Sequence, residues 1–488
     1  ALDATRTEGT DFLRLCARVR LDHIVPRQHY VNTGTLRYAQ TQLIPAPQLD
    51  QLLQQQPELD GRGPDLFIRI VLPEDEAQKR RAIQTLDAQH ETLNDGLIIA
   101  VADPAPTALP AFADLLAWEW VRNNTPELAG DRYAREEVAR QLETAERNLH
   151  TRLAHVTNLA ASGSGAMPWF TNQHHRQLNS GKELLAFLSR ECDHIYFSAP
   201  RILNELINRH SPSSAAVAAR TKLAEAMATT PNKASLGMDE TKRPAEMALY
   251  LSVLKAGNFH THTRSGWLFK LPDTPKADTC NLLPALSQIT TTLQGAGIDA
   301  LVPVETIFSL LAKPPFGARH GLIPFILAIY LATHHQRVAL YEEETYLHQV
   351  GGEDLLRLMK EPQHFKLQYC ALEGVRSQVF TQLLQLLKFQ PRDPKQIDML
   401  DMVRPMVVFI SREVPEYTRR TNSLPAVTLA IRNALLNALE PARLVFTTLP
   451  EACGLPPFRE GAAPAPEEFA SRLARAMHEL RTAYPKLI

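Results

Sequence analysis

Short apolar runs alternate with amphipathic stretches along the N-terminal part of the chain. Four segments have strand patterns, "LCARVRL", "TLRYAQTQLI", "PDLFIRIVLPE" and "DGLIIAVADP", and two have helical patterns, "DEAQKRRAIQTLDAQHE" and "ALPAFADLLAWEWVRNN". The segment "DGLIIAVADP" is apolar at almost every position, which is typical of a strand buried on both faces. This order of strands and helices predicts part of a parallel α/β sheet in a first domain, residues 1–128.

A long, highly charged helix follows the α/β part. The segment "DRYAREEVARQLETAERNLHTRLAHVTNL" has one narrow apolar seam at helical spacing, which indicates packing on one side or a short coiled coil. The seam consists of Val138, Leu142, Ala145, Leu149 and Leu153. The stretch "AASGSGAMPW" then predicts a loop, because glycine and proline interrupt regular structure. Residues 129–170 are therefore assigned to a long helix and linker.

Helical patterns dominate residues 171–302 and 376–488. The first of these ranges contains "GKELLAFLSREC", "APRILNELINRH", "SPSSAAVAARTKLAEAMATTP" and "RPAEMALYLSVLKAGNFH". Ser213 or Ser214 is an expected N-cap, and Pro244 and Gly257 stand where a helix begins and ends. The second range is predicted to form a C-terminal helical bundle. The predicted fold class is mainly α, with an α/β piece at the N-terminal side.

Residues 303–375 combine helical and alternating patterns. Helical segments "PVETIFSLLAKPPFG" and "GLIPFILAIYLAT" precede "RVALYEEETYLHQV", which predicts a hairpin with Val338, Leu340, Tyr346 and Leu347 pointing inward. A further helix, "GGEDLLRLMKEPQHF", and a strand, "KLQYCALEG", complete the range. This order predicts a winged-helix-like α+β unit, although its strand order is not the usual one.

Composition narrows the range of functions. The chain has 488 residues, enough for about three domains, and a formal net charge of -1, so any nucleic-acid contact must be local. The longest apolar run, "LIPFILAIYLA", is too short to cross a membrane. Five widely spaced cysteines predict a reducing, cytoplasmic location. The chain starts at Ala1 and ends within a helical pattern, so we expect a fragment of a longer protein.

No catalytic motif identifies a reaction, and the catalytic residues stay unknown. "NSGKELL" contains Gly181-Lys182 but lacks the earlier glycine and the Ser or Thr of a phosphate-binding P-loop. His260-x-His262 could place two imidazoles on one strand face, but no third ligand is indicated, so a polar strand or turn is the favoured interpretation. We assign no metal and no cofactor to the chain itself; ATP and Mg²⁺ are possible in a longer parent protein.

Basic residues supply the candidate nucleic-acid contacts. The candidates are Arg209, Arg319, His320, Arg419 and Arg420. Arg209 lies in a basic helical pair, Arg319 and His320 precede a helix whose free amides could help to bind phosphate, and the other two adjoin Tyr417. A solvated helix face or surface loop is the alternative at each position. The helix "LIPFILAIYLA" is apolar on all sides and the hairpin tip "YEEET" is acidic, which argue against base reading by the winged-helix-like unit.

Three longer stretches carry a resemblance to a known family. They are "FSAPRILNELINRHSPSSAAVAARTKLAEAM", "KPPFGARHGLIPFILAIYLATHHQRVALYE" and "YTRRTNSLPAVTLAIRNALLNALEPARLVFTTLPEACG". As a set they resemble the middle and later parts of large ATP-binding proteins, P-loop ATPases of bacterial phage-defence clusters of the BREX kind. The resemblance covers less than a quarter of the chain, and the family's P-loop is absent, so no catalytic residue can be carried over.

The resemblance implies a regulatory or scaffold portion of a large antiviral-defence ATPase, without a P-loop of its own. Such a portion couples the nucleotide state of the ATPase to DNA or to the protein partners of a defence complex. Two alternatives stay open: a stand-alone nucleic-acid-binding protein without enzymatic activity, and an enzyme of unrecognised type. Whether the chain has any enzymatic activity is therefore uncertain at this point.

Overall fold

The computed structural model describes most of the chain and divides it into two compact units. Described are residues 10–19, 21–104, 108–156, 167–242, 244–264, 266–297, 300–334, 337–347, 350–370, 400–438, 441–458 and 466–484. Unit 1 comprises residues 1–208 and 312–318, and unit 2 comprises residues 209–311 and 319–488. The fold is mainly helical, with one mixed sheet and two antiparallel sheets among the described residues.

Unit 1 contains a five-stranded sheet in the order β1-β2-β3-β4-β5. The strands are β1 Ala39–Pro45, β2 Leu66–Leu72, β3 Leu97–Val101, β4 Met167–Phe170 and β5 His175–Leu178. The first three strands pair in parallel, whereas β3–β4 and β4–β5 pair antiparallel. The parallel α/β sheet predicted from the sequence is therefore present, with an antiparallel extension.

Seven α-helices accompany this sheet in the described part of unit 1. They are α1 Thr10–Arg18, α2 Arg27–Thr33, α3 Leu49–Gln54, α4 Glu76–Gln89, α5 Ala108–Asn124, α6 Arg132–Val156 and α7 Gly181–Ile195. Side chains of β2 and β3 alternate between two hydrophobic cores, so Ile70 enters one and Val71 the other. Both faces of these strands are covered, as the apolar run in β3 predicts. The apolar seam predicted for α6 is buried along its whole length.

Three predictions for unit 1 are wrong. The segment "LCARVRL" lies mostly in α1 rather than in a strand. Strands β4 and β5 fall where a loop and the start of a helical domain were expected. "APRILNELINRH" forms turns, because Asn204 Oδ1 accepts a hydrogen bond from the Leu206 amide and Asn208 Nδ2 donates one to the Ile202 carbonyl. Such side-chain bonds to the backbone compete with helix formation.

Unit 2 is built mainly from helices. Its helices are α8 Ser214–Thr229, α9 Ala245–Leu249, α10 Leu283–Ala296, α11 Val304–Ala312, α12 Ile323–Thr333 and α13 Gly352–Lys360, followed by Leu400–Val408, Glu416–Arg420, Ala426–Leu436, Pro441–Arg443, Leu449–Ala452 and Pro466–Thr482. Single π turns span Tyr250–Lys255, Phe409–Glu413 and Leu444–Thr448. Ser213 caps α8, as predicted, by accepting a hydrogen bond from the Ala216 amide.

Two antiparallel sheets complete unit 2. The hairpin pairs β6 His260–Thr263 with β7 Gly266–Phe269, and the larger sheet has the order β10-β9-β11-β8. Its strands are β8 Val302–Pro303, β9 Val338–Glu342, β10 Thr345–Tyr346 and β11 Phe365–Tyr369. The predicted hairpin is therefore present.

The inner residues of this region match the sequence pattern in large part. Val338, Leu340 and Tyr346 are buried, as predicted, while Leu347 is half-buried. All residues of α12 from Ile323 to Leu331 are buried, so this helix belongs to the core and has no polar face for a DNA groove. The predicted helix "VRSQVFTQLLQLLKF" lies outside the described residues. Within the described parts of the chain, no helix combines the length and apolar character needed to cross a membrane.

Candidate nucleic-acid interface

Basic side chains from three segments of unit 2 gather around the turn that precedes α12. We call this group the Gly321 cluster; it consists of Arg209, His210, Arg220, Arg319 and His320. Nη1 of Arg319 donates to Nε2 of His210 across 2.6 Å, and Nη1 of Arg220 donates to the Gly321 carbonyl across 2.7 Å. The His210 and His320 rings are 5.8 Å apart. Three of the five predicted contact residues are thus brought together.

Burial divides the cluster into supporting and accessible residues. Arg319 and Arg220 are only 3% and 7% exposed, whereas Arg209 and His320 are exposed. Because a guanidinium can only donate hydrogen bonds, Nε2 of His210 accepts from Arg319 and carries no proton. Arg319 therefore positions the turn. Arg209 and His320 are the members that an external ligand can reach.

The buried Arg220 links helix α8 to the same turn. Burial lowers the pKa of its guanidinium from the ordinary value, but arginine stays protonated because that value is so high. Its Nε is buried and has no hydrogen-bond partner within the described residues. Arg220 thus places a fixed positive charge beneath the exposed residues of the cluster.

The backbone at the start of α12 has no spare donor. The Gly321 amide bonds to the Arg209 carbonyl across 3.0 Å, and the amides of Leu322 and Ile323 both bond to the Arg319 carbonyl. Residue 324 is a proline, and the next two amides bond to the Leu322 carbonyl. Within residues 321–326 every backbone N–H group therefore donates a hydrogen bond inside the protein. Any phosphate contact here depends on side chains. The prediction that free amides of the helix start help to bind phosphate is wrong.

Arg419 and Arg420 belong to a later segment of unit 2 than the residues of the Gly321 cluster. They end the short helix Glu416–Arg420, where the sequence suggested a loop before a helix. Arg420 is exposed and pairs with Glu416 across 2.6 Å, whereas Arg419 is half-buried.

The acidic hairpin tip is paired with basic residues. Glu344 contacts Lys366 across 2.9 Å, Glu343 contacts His364, and Glu342 pairs with Arg357 across 2.6 Å. The Arg357 hydrogen bond lowers the pKa of Glu342. These pairs partly neutralise the negative charge of the hairpin tip but give it no net positive charge. The tip therefore does not favour contact with a polyanion such as DNA.

The His260 imidazole has a structural role. Its Nδ1 lies 3.0 Å from the Tyr250 hydroxyl and its Nε2 lies 2.9 Å from the Pro231 carbonyl, so both ring nitrogens are engaged. The ring also stacks on Trp267, and burial lowers the pKa of His260. Among the described residues, no three His, Cys, Asp or Glu side chains are grouped as metal ligands.

One charged network in unit 1 has no recognisable sequence signal. Nε of Arg37 donates to Nε2 of His29 across 2.9 Å, and Nη1 of Arg37 donates to Asp65 across 2.8 Å. Nδ1 of His29 lies 2.6 Å from Asp193, and the guanidinium of Arg37 covers the Tyr196 ring at 3.6 Å. His29 is 1% exposed, so no substrate can reach it. The network stabilises the fold and is not a candidate active site.

Comparison of the chain with protein-family models, with curated proteins and with solved structures finds no match. The geometry of the described residues therefore carries the functional argument.

Proposed function

We propose that this chain binds nucleic-acid phosphates through the Gly321 cluster. The observation that carries the proposal is the convergence of Arg209 with the sequence-distant pair Arg319 and His320 at one turn, where Arg209 and His320 are exposed. Buried Arg220 and Arg319 hold positive charge under the surface. Phosphate contacts of this kind position a protein on nucleic acid without reading its sequence.

We propose further that the chain binds nucleic acid as part of a larger protein. The chain is then a non-P-loop regulatory or scaffold portion of a large antiviral-defence ATPase, and it couples nucleotide state to DNA or to protein partners in the cytoplasm. In support, each of the three stretches that resemble this family contains candidate basic residues: Arg209, the pair Arg319 and His320, and the pair Arg419 and Arg420. ATP and Mg²⁺ would be bound outside this chain.

We propose a structural or protein-docking role for helix α12 and the hairpin of the winged-helix-like unit. Its sequence order of two helices, a hairpin, a helix and a strand supports a winged-helix-like arrangement. Its helix α12 is buried and its hairpin tip is acidic. A DNA-reading unit needs a polar recognition helix and a basic or neutral wing, so DNA contact falls to the turn before α12, within the Gly321 cluster, and not to α12 or the hairpin tip.

Binding of fluorescently labelled DNA by the purified chain over a salt series tests the proposal. The logarithm of the association constant is expected to fall linearly with the logarithm of salt concentration, because each phosphate contact releases counterions. The substitution Arg209→Glu should weaken binding. Absence of DNA binding at low salt, or binding that does not change with salt, would refute the proposal.

The alternative function is a stand-alone nucleic-acid-binding protein without enzymatic activity, and the Gly321 cluster favours it equally. The intact mass of the native gene product separates the two. A product well above 54.6 kDa that contains a P-loop supports the ATPase portion. A native product of 54.6 kDa would contradict it and leave the stand-alone protein.

A further inference from the structure

Two tyrosines separated in the sequence meet on the surface of unit 2. The rings of Tyr417 and Tyr484 have centroids 6.0 Å apart and are inclined by 50°. Both side chains stay substantially exposed, at 39% and 40%. We call this pair the tyrosine platform. The two rings expose apolar faces to water, and covering such faces with a ligand is favourable.

The platform lies beside arginines that outnumber the nearby acids. The segment from residue 409 to 421, which contains Tyr417, has Arg412, Arg419 and Arg420 against Glu413 and Glu416. Two more arginines contact this segment from other helices, Arg432 at the Thr418 carbonyl and Arg481 at Glu413 across 2.8 Å. Five arginines against two glutamates give this surface an excess of positive charge.

Two of these arginines, Arg432 and Arg419, are held in place by partial or full burial. Arg432 is 6% exposed and bonds to backbone carbonyls at the end of the helix Glu416–Arg420. Arg419 is half-buried, and its Nε has no hydrogen-bond partner within the described residues. Arg420 extends into solvent, with its side chain 81% exposed. The platform is therefore bordered by one exposed cation, which pairs with Glu416, and supported by two held ones.

This combination matches the chemistry of single-stranded nucleic acid. Proteins that bind single strands combine positive charge for the phosphates with aromatic side chains on which bases stack. A duplex cannot use such a platform, because its bases are already stacked on each other. An acidic or proline-rich peptide would use only one of the two features.

We propose that the tyrosine platform binds an unstacked base of a single-stranded nucleic acid, while Arg419 and Arg420 contact the adjoining phosphates. This inference rests on the proposed function and narrows it, because the Gly321 cluster alone would bind single strands and duplexes through phosphate. The platform adds a contact that requires a base.

The test compares labelled oligomers bound to the full chain, two of which are single strands of equal phosphate number. The probes are dT20, an abasic 20-mer and a 20-base-pair duplex. The wild-type chain is expected to bind dT20 about fivefold or more tightly than the abasic 20-mer, given the usual contribution of one stacked base. Tyr417→Ala and, separately, Tyr484→Ala should remove this preference. Tyr133→Ala is the matched control, because Tyr133 is 82% exposed on α6 and belongs to unit 1.

The binding results with these probes either support or overturn the proposal. Loss of the dT20 preference in both platform variants, with an unchanged far-UV circular dichroism spectrum, supports the proposal. Equal binding of dT20 and the abasic 20-mer by the wild type overturns it but leaves phosphate binding intact. Binding of none of the three probes overturns both this inference and the proposed function. Tighter binding of a proline-rich peptide than of dT20 also overturns the inference. A parallel titration with rU20 shows whether the chain binds single-stranded RNA or DNA more tightly.

Discussion

Nε of Arg37 donates a hydrogen bond to Nε2 of His29 across 2.9 Å, and each of the two side chains is only 1% exposed. The same guanidinium neutralises Asp65, which is also buried. This places a charged residue, its counter-ion and a histidine in the interior of unit 1. A buried charge without its partner is strongly unfavourable, so the three residues depend on each other.

Replacement of Arg37 by methionine is expected to destabilise unit 1 by about 3–5 kcal/mol, because the buried Asp65 carboxylate loses its counter-ion. Urea unfolding followed by circular dichroism measures the change. The double variant Arg37→Met with Asp65→Asn should recover part of the loss, since no uncompensated charge stays buried. Arg81→Gln is the control on the exposed face of α4, with an expected change within about 0.5 kcal/mol. Equal stabilities of Arg37→Met and wild type would contradict the importance of the network.

Acid is expected to destabilise unit 2 through His334. Burial lowers the pKa of His334 to about 4, from its ordinary value of 6.5. Below pH 6.5 the unfolded chain binds a proton at this position while the folded chain does not, so the free energy of unfolding falls as the pH falls from 6.5 towards 4. The variant His334→Asn, which cannot titrate, should have a shallower pH dependence over this range. Parallel pH profiles for the variant and the wild type would refute the prediction.

Loss of the N-cap of α8 is expected to lower the stability by less than loss of Arg37 does. Ser213 accepts a hydrogen bond from the Ala216 amide at the helix start. The substitution Ser213→Ala should cost about 1 kcal/mol and Ser213→Gly only a few tenths, because glycine leaves the terminal amides open to water. Thermal unfolding of the two variants measures this order. A larger loss for glycine than for alanine would show that the cap does not act in this way.

Arg319 and Arg209 are expected to have different effects although both belong to the Gly321 cluster. Arg319→Met removes the buried donor to His210 and should cost about 1–3 kcal/mol of stability. Arg209→Gln, at an exposed side chain, should leave stability within about 0.5 kcal/mol and weaken DNA binding instead. Urea unfolding and DNA titration of both variants give the comparison. Arg209→Gln with wild-type affinity would remove Arg209 from the interface.

Sequence periodicity predicted the regular elements where one physical signal dominates. The strand β3 is apolar throughout, the α6 seam repeats at helical spacing, and α8 has both an N-cap serine and a following proline; all three are present. Strand β4 was missed because it is short, contains Pro168 and follows a glycine-rich stretch. The turns at residues 200–212 were missed because asparagine side chains bond to the backbone, and periodicity does not report such bonds.

The candidate site could be predicted only in part. Arg209 was identified in a basic helical pair, and Arg319 and His320 before an expected helix, but nothing in the sequence shows that they meet. The contact between His210 and Arg319 joins residues 109 positions apart. Burial of Arg319, use of the amides before α12 and the pairing of Tyr417 with Tyr484 likewise depend on tertiary packing.

The most direct test of the central claim is the salt slope of DNA binding in a double variant. Wild type, Arg209→Glu with His320→Glu, and the exposed control Arg81→Glu are titrated with one labelled DNA between 50 and 200 mM salt, about the range over which phosphate contacts show clearly. We predict a slope reduced by about 1 to 2 units in the double variant, as expected for the loss of one or two phosphate contacts, and a wild-type slope in the control. An unchanged slope and affinity in the double variant would contradict nucleic-acid binding through the Gly321 cluster.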